Sequence, residues 1–363
     1  MTIATSRSST SRTGDVRPRF RPLRVTAVER LTDDAAAVTF EVPTKFAAEF
    51  AFVPGQSLTV RRGAVRRSYS ICAPAGAMPR VGVREVERGE ISGWLVHDVR
   101  VGDVIDVLPP AGRFTPDLTR PGHHVAIAAG SGITPVLSIM SSVLAAQEKA
   151  AATIIIGNRR AGTVMFGEDL ADLKDRYPAR LQLIHVLSRE QQEVALHSGR
   201  LDPGKLRELL PATVEVAEVD AWWLCGPLGL VTGAIDVLTE LGVDRGRVHR
   251  ELFYVEDEPP PMAEHVEETV GTGAEVTVIL DGRRSTSAIP PGVPILDGLQ
   301  RTRPDLPFAC KGGVCGTCRA RLVAGEVRMR RNYALEDAEL ARGYVLTCQS
   351  VPITDAVTVD YDG

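Results

Sequence analysis

The sequence predicts a multidomain protein: an antiparallel β-barrel, then a parallel α/β sheet, then a small α+β domain. Three observations carry that expectation. Short strands broken by turn residues fill the first third of the chain, apolar strands spaced by helical stretches fill the middle, and a Glu/Pro/Gly-rich stretch separates both from a cysteine-bearing tail. At 363 residues the chain is long enough for two or three domains, each burying its own core.

The first boundary follows residues 1–18, where Arg7, Arg12 and Arg17 lie among Ser and Thr with no apolar core for a secretory signal, so a disordered start is expected. From 19 to 118 the strands read as Ala37–Val42 and Ser57–Val60, punctuated by Pro54-Gly55 and Pro109-Pro110. That is barrel-like. From 119 to 255 the apolar strands Val125–Ala129, Thr153–Ile156, Leu181–Leu187 and Trp222–Cys225 alternate with helical patterns such as Pro135–Gln147 and Leu228–Leu241. A parallel βαβ sheet should bind its ligand at the strand C-termini. Residues 256–273 are too rich in Glu, Pro and Gly to bury a core and read as a linker. Beyond it, 274–363 opens with a hairpin around Asp281-Gly282 and a helix near Ile295–Arg301.

Composition removes several classes of function. A formal net charge of −4 disfavours nucleic acid as the main partner, and no stretch approaches the roughly 18 apolar residues of a membrane span. A cytoplasmic protein without membrane contact is expected. Six cysteines without an export signal point to metal or redox chemistry rather than a disulfide framework. Cys72 and Cys225 stand alone, whereas Cys310, Cys315, Cys318 and Cys348 crowd the tail.

Cys310 to Cys318 has C-x4-C-x2-C spacing, and Cys348 follows about thirty residues later. This is the plant-type [2Fe–2S] pattern, in which each tetrahedral iron takes two thiolates besides two bridging sulfides. Gly312, Gly313 and Gly316 suit a loop folded tightly around such a cluster. A structural zinc site would also take four cysteines, but zinc sites usually pair two short knuckles, and here the fourth cysteine is solitary.

A cluster of this type commonly sits near about −400 mV and accepts single electrons, whereas a nicotinamide gives up a hydride carrying two. A flavin can divide the pair, so an upstream flavin domain is expected. The barrel supplies Arg67-Ser68-Tyr69-Ser70, which resembles the R-x-Y-S signature of the ferredoxin–NADP reductase superfamily. The resemblance implies that Arg67 pairs with a flavin phosphate, Tyr69 stacks on the ring and Ser70 lies near its N5. Gly89-Glu90-Ile91-Ser92 matches the same family's G-x-x-S at a helix start, where free amides favour a pyrophosphate. FAD is preferred over FMN on that ground.

Gly130-Ser131-Gly132-Ile133-Thr134-Pro135 ends a strand and opens a helix. It resembles the superfamily's pyridine-nucleotide loop, with Pro135 tolerated in a first helical turn and Thr134 implied near the flavin. Cys225-Gly226-Pro227 matches the family's C-G-P, which implies Cys225 beside the nicotinamide. Ser188-Arg189 follows strand Leu181–Leu187, and Arg159 and Arg160 follow the strand before it; cations and hydroxyls there favour NADPH, although Glu190 comes next. His123-His124 precede a strand without ligand spacing and read as loop residues; Trp222-Trp223 read as strand packing.

These motifs in this order cover nearly the whole chain after residue 18. The segment from Pro307 to Cys318, with Gly325-Glu326-Val327 and Asn332–Glu336 behind it, is similar to the reductase components of bacterial phenylacetyl-CoA epoxidase complexes. The resemblance implies electron delivery to a di-iron oxygenase on other subunits, since this chain carries no di-iron signature. Reductases of steroid and other aromatic hydroxylases share the architecture, and a flavin and iron–sulfur redox sensor is the alternative from another class.

Overall fold

A computed structural model gives the fold. It describes the backbone of 2–4 and residues 19–363 except 64, 88, 255–272, 301, 304, 309, 310, 315 and 336. The chain divides into two compact units. One holds Phe20–Arg62 and Ser68–Phe253, so that the barrel and the α/β domain pack as a single body. The other gathers the chain from Tyr254 with Gly63–Arg67 and the N-terminal strand.

The barrel consists of β2 (Arg21–Thr32), β3 (Ala35–Glu41), β4 (Ser57–Arg62), β5 (Val65–Ser70), β6 (Arg80–Arg84), helix α1 (Glu90–His97) and β7 (Val104–Val107). Its strands run in the order β5-β4-β7-β2-β3-β6. The bridge from Ile71 to Val81 joins the two edges, with Cys72 N donating to Arg80 O at 2.8 Å, and closes the sheet on itself. Closure removes the open edges that a six-stranded sheet would present. Leu23, Val25, Phe40, Leu58, Val60, Val81 and Val83 fill the interior.

The α/β part alternates β8 (His123–Ala129), α2 (Ile133–Ala146), β9 (Ala151–Asn158), α3 (Gly167–Arg176), β10 (Leu181–Leu187), α4 (Pro203–Thr213), β11 (Ala221–Pro227), α5 (Leu228–Glu240) and β12 (Val248–Tyr254). The strand order β10-β9-β8-β11-β12 places the reversal of direction at β8. A crevice beyond the C-terminus of β8 is where such a sheet binds ligands. The central strands β8, β9 and β11 are buried nearly throughout, as apolar runs in a sheet covered on both faces should be. Helix α2 carries an apolar face, and two of its three serines reach out of it: Ser138 Oγ donates to Ala73 O at 2.6 Å, and Ala75 N donates to Ser142 Oγ at 2.9 Å. These two bonds tie the helix to the turn after β5 and satisfy polar groups that the packing buries.

The C-terminal unit holds β13 (Ala274–Leu280), β14 (Arg283–Ile289), α6 (Ile295–Leu299), β15 (Arg319–Ala324), β16 (Glu326–Met329), α7 (Asp337–Ala341), β17 (Tyr344–Leu346), β18 (Ser350–Pro352) and β19 (Ala356–Asp360). A mixed sheet of order β14-β13-β19-β15-β17 packs Val276, Val278, Val357 and Val359 against Ile295, Leu296 and Leu299 of α6, a β-grasp arrangement of the α+β kind expected. Thr2–Ala4, expected to be disordered, forms β1 and pairs with β16, Thr2 opposite Arg328. Its composition suits that, since Thr and Ile are good strand formers. The expected linker lies outside the described residues, apart from Gly273. No helix among the described residues is long and apolar enough to cross a membrane.

His123 and His124 are the first two residues of β8 rather than a loop before it. His124 is buried, and its Nδ1 accepts from Trp223 Nε1 at 3.1 Å. Trp223 stacks on His249 at 4.3 Å and takes the edge of Phe114 at 5.2 Å. Burial pushes His124 down from 6.5 to about 4, because a charged ring would lose solvation and Nδ1 must stay unprotonated to accept. The unfolded chain therefore takes up a proton before the folded one does. Stability is complete above pH 6.5 and falls as the pH drops toward 4. A depression of this size makes the loss on the order of 3 kcal/mol for this residue. Urea denaturation between pH 7.5 and pH 4.5 should show the decline, to which the half-buried His123, His185 and His249 add in the same direction, and His124→Gln should make it shallower; an equal slope in that variant would remove His124 as a cause.

Candidate functional site

The site grows from the C-terminal end of β8. Cys225 on β11 lies in register with Ala128, so the turn after β8 and the turn after β11 emerge side by side. They touch closely. A Cβ on Gly132 would lie 2.2 Å from Cys225 O and 2.6 Å from its carbonyl carbon, so only glycine fits. Gly130 turns the chain with φ +55, and Gly226 lies against the backbone of Ala129. Ser131 O accepts from Thr134 Oγ1 at 2.8 Å, which locks the short turn into α2. Ile133, Thr134 and Pro135 are buried in that first turn. Two motifs read separately in the sequence, Gly130–Pro135 and Cys225–Pro227, thus form one surface.

Cys225 is fully buried, and burial, with Glu251 adding to it, raises the thiol well above its usual range. It is neutral. Such a thiol shapes and lines a pocket but is no nucleophile.

At the ends of β9 and β10 the backbone joins Ser188 N to Asn158 O at 2.9 Å and Arg189 N to Arg159 O at 2.8 Å. Arg159, Arg160, Ser188 and Arg189 are all exposed there. Glu190 lies in the same cluster, but its carboxylate is turned back to accept from Ala161 N at 2.9 Å.

On the barrel side, Ser70 is buried and Tyr69 half-buried at the end of β5. Ser68 is spent on the sheet, its Oγ lying 2.9 Å from Thr59 Oγ1. Arg67 Nη1 donates to Arg66 O at 2.8 Å and to Phe308 O at 3.2 Å, with the guanidinium 4.1 Å over the Phe308 ring. Helix α1 begins after Gly89, its N-cap, and Gly93 N to Gly89 O is the first bond that closes a helical turn. The amides of residues 90–92 therefore have no acceptor within the helix, which suits a phosphate. Ile91 is core. Ser92 Oγ does not point its hydroxyl at a ligand; it donates to Gly89 O at 3.2 Å and accepts from Val86 N at 3.1 Å, holding the turn in shape.

The strand that joins these two halves escaped sequence reasoning. Arg80 of β6 pairs with Asp169 Oδ1 at 2.6 Å and with Glu29, and lies over the ring of Phe166. Gly82 faces Phe166 and Thr134, since a Cβ there would come within 2.6 Å of the ring and 3.0 Å of Thr134 Cγ2. Phe166 itself is buried with φ +59, an uncommon backbone for a bulky residue. Arg84 donates to Thr163 O at 2.8 Å and approaches the Gly130 turn. Burial lowers its pKa; Asp34 opposes that and Arg159 adds to it. The signal available was Arg80-Val81-Gly82-Val83-Arg84, alternating arginines on a strand whose valines are core. Ser70 and Thr134 end up flanking the same stretch of β6, because Ile71 bridges to Val81 and Gly82 lies under Thr134.

In the C-terminal unit Cys318 and Cys348 are buried close together. Thr347 N and Oγ1 both donate to Cys318 O, at 3.2 and 3.0 Å, and Thr347 Oγ1 lies 2.6 Å from Tyr361 OH. Gln349 Nε2 donates to Lys311 O at 2.6 Å, which fastens the cysteine loop to the segment bearing Cys348. Cys310 and Cys315 lie outside the described residues. Two buried thiols on segments bonded to one another fit the soft donor set of an iron–sulfur cluster.

Comparison with known proteins agrees with each module. Residues 22–115 match the model of the oxidoreductase FAD-binding domain, 126–236 that of the oxidoreductase NAD-binding domain, and 278–352 that of the 2Fe-2S iron-sulfur cluster binding domain. The fold is that of phthalate dioxygenase reductase, with a TM-score of 0.61 at 22% identity over 94% of this chain and 98% of that one. The flavin- and nucleotide-binding part is also similar to that of nitric oxide dioxygenase from Vibrio cholerae O1 biovar El Tor (TM-score 0.57, 26% identity, 65% of this chain and 99% of that one).

A nicotinamide-linked flavin and iron–sulfur oxidoreductase is thereby defined, of the kind that serves oxygenases. The chain belongs to the family of oxygenase reductase components that includes a subunit of the 1,2-phenylacetyl-CoA epoxidase of Escherichia coli K12, with which it shares 39% identity over 94% of this chain and 98% of the relative. The ferredoxin reductase component of 3-ketosteroid-9-alpha-monooxygenase from Rhodococcus rhodochrous is 31% identical over 93% of this chain and 96% of the relative.

Gly132→Ala should weaken nucleotide binding by about 10- to 100-fold, since overpacking against a backbone costs roughly 1–3 kcal/mol. Calorimetric titration with the nucleotide, on protein whose flavin content is measured, checks this; unchanged affinity would mean that the turn can yield.

Proposed function

We propose that this chain takes hydride from NADPH and passes electrons through FAD and the [2Fe–2S] cluster to the di-iron oxygenase subunits of a phenylacetyl-CoA epoxidase. The observation that supports the pathway is the end-to-end likeness to the Escherichia coli epoxidase component, at 39% over nearly both chains. Bound FAD supplies the exchange between a two-electron donor and a one-electron acceptor. The protein does the rest by placement. The amides of residues 90–92 hold the flavin's phosphates, with Tyr69 and Ser70 against its ring. Gly130 to Pro135 with Cys225 to Pro227 make the nicotinamide's bed, and the neutral, buried Cys225 and Thr134 keep water from it. Cys310, Cys315, Cys318 and Cys348 hold the cluster. The setting proposed is the cytoplasm.

NADPH is preferred because Ser188, Arg159 and Arg189 gather at the tips of β9 and β10 while the Glu190 carboxylate is engaged with Ala161 N. A 2′-phosphate would meet two guanidinium groups there. Arg189→Glu should lower the NADPH/NADH ratio of kcat/KM by about 10- to 100-fold, the worth of one or two charge-assisted hydrogen bonds. A ratio that does not move would reject the assignment.

The second reading is a steroid hydroxylase reductase, which the 31–34% identity to the ketosteroid components supports less strongly. Purified epoxidase subunits, phenylacetyl-CoA and NADPH should yield epoxide by mass spectrometry only when this chain is present. Reduced flavin and cluster without product would send the search to other oxygenases.

A further inference from the structure

Strand β16 carries a charge pattern that the flow of electrons from nucleotide to cluster does not use. Val327 and Met329 point into the core, while Arg328 and Arg330 are exposed on the other side, with exposed Arg331 next in the chain. Between residues 311 and 342 there are seven Lys and Arg against four Asp and Glu, in a chain whose net charge is −4. One of those carboxylates, Glu339, is buried and spent on Arg319. The guanidinium of Arg330 donates to a neutral carbonyl, Gly292 O at 2.5 Å.

The place of this strand is informative. Arg330 N donates to Gln349 O at 2.9 Å, one residue past Cys348, and Gln349 in turn holds Lys311 O on the loop that follows Cys310. Tyr333 N donates to Gly313 O at 3.0 Å in the same loop. The arginine segment is thus bonded to both stretches of chain that present cluster cysteines. Electron tunnelling falls steeply with distance, so an acceptor must dock where the cluster lies nearest the surface. With β1 on one side and β18 on the other, β16 has both backbone edges paired. Recognition at this strand therefore falls to its side chains.

We propose that Arg328 and Arg330, with Arg331 beside them, form the surface on which the electron acceptor docks, and that the acceptor meets them with an acidic protein face. Arginine suits the task, because its fork matches carboxylates and it is enriched at interfaces. Complementary charge speeds encounter by about 10- to 1,000-fold at low salt, and the gain fades as ionic strength rises and the Debye length shrinks. The proposal rests on the oxygenase-reductase reading, but not on which oxygenase is served.

The test uses the flavin- and cluster-loaded full chain and R328E/R330E, with R328Q/R330Q as a milder second variant. Unchanged NADPH-dependent reduction of a small uncharged quinone, and an unchanged cluster spectrum, show that each variant is intact. With cytochrome c, a strongly basic acceptor, the wild type should speed up as salt is added. R328E/R330E should be at least about tenfold faster than the wild type at low salt and slow down as salt is added. Transfer to the epoxidase's oxygenase subunits should fall by a similar factor in R328E/R330E, with R328Q/R330Q between. If the oxygenase takes no electrons even from the wild type, the pathway reading fails, while the reversal with cytochrome c still decides the surface. Equal salt dependence of wild type and R328E/R330E overturns the proposal. So does salt-sensitive retention on duplex DNA that the variant loses while electron transfer is unaltered, which would assign the surface to nucleic acid.

Discussion

The first unit depends on one seam, the line along which β6 of the barrel meets the α/β domain. Flavin and nicotinamide chemistry requires two separately folded parts to present their ligands to each other within a fraction of an ångström, and covalent connection alone cannot do that. Here the fit is set by three contacts from one short strand. Arg80 is clamped between Asp169 and Glu29, Gly82 receives the Phe166 ring under Thr134, and Arg84 reaches Thr163 O. Ser138 and Ser142 add hydrogen bonds from α2 to the turn after β5. The pairing of Arg80 is partly screened from water, so removing both carboxylates would leave a costly unpaired charge rather than merely fewer bonds. Phe166 is held in a backbone conformation that bulky side chains avoid, and such strain persists only where surrounding packing determines it.

How much of this could be read from the sequence follows from what each feature depends on. The Gly130–Pro135 turn was legible because a close approach of backbone to backbone admits only glycine, and a glycine pattern is visible in a string of letters. The strands of the α/β domain were legible for a similar reason: apolar runs such as Val125–Ala129 have few other uses. The seam was not. Arg80 and Asp169 are 89 residues apart and Arg84 and Thr163 are 79 apart, so nothing local distinguishes them from solvated arginines on an exposed strand. His123 and His124 were misplaced because histidine is a weak strand former in isolation, whereas here Trp223 supplies the hydrogen-bond donor that makes burial of His124 tolerable.

In some motifs the side-chain atoms are engaged within the fold. Ser92 belongs to a turn whose free amides suit a phosphate, and its own hydroxyl is engaged with Gly89 and Val86. Ser68 lies inside the barrel signature but serves the sheet. Cys225 lies in the turn beside Gly132, but burial raises its thiol well above the usual range. A motif therefore reports which backbone shape is required more reliably than which side-chain atom does the work.

The small strand β1 has a consequence for how the molecule is made. Its partner β16 is translated about 320 residues later, which at roughly 5–20 residues per second is on the order of tens of seconds of synthesis. Throughout that interval the barrel and the α/β domain can complete their folding on the ribosome, while Thr2–Ala4 waits without a mate. Thr2–Ala4 can pair only once Glu326–Met329 has been made, so the small sheet of β1, β16 and β18 is closed by strands from distant parts of the sequence and binds those parts together only late in synthesis.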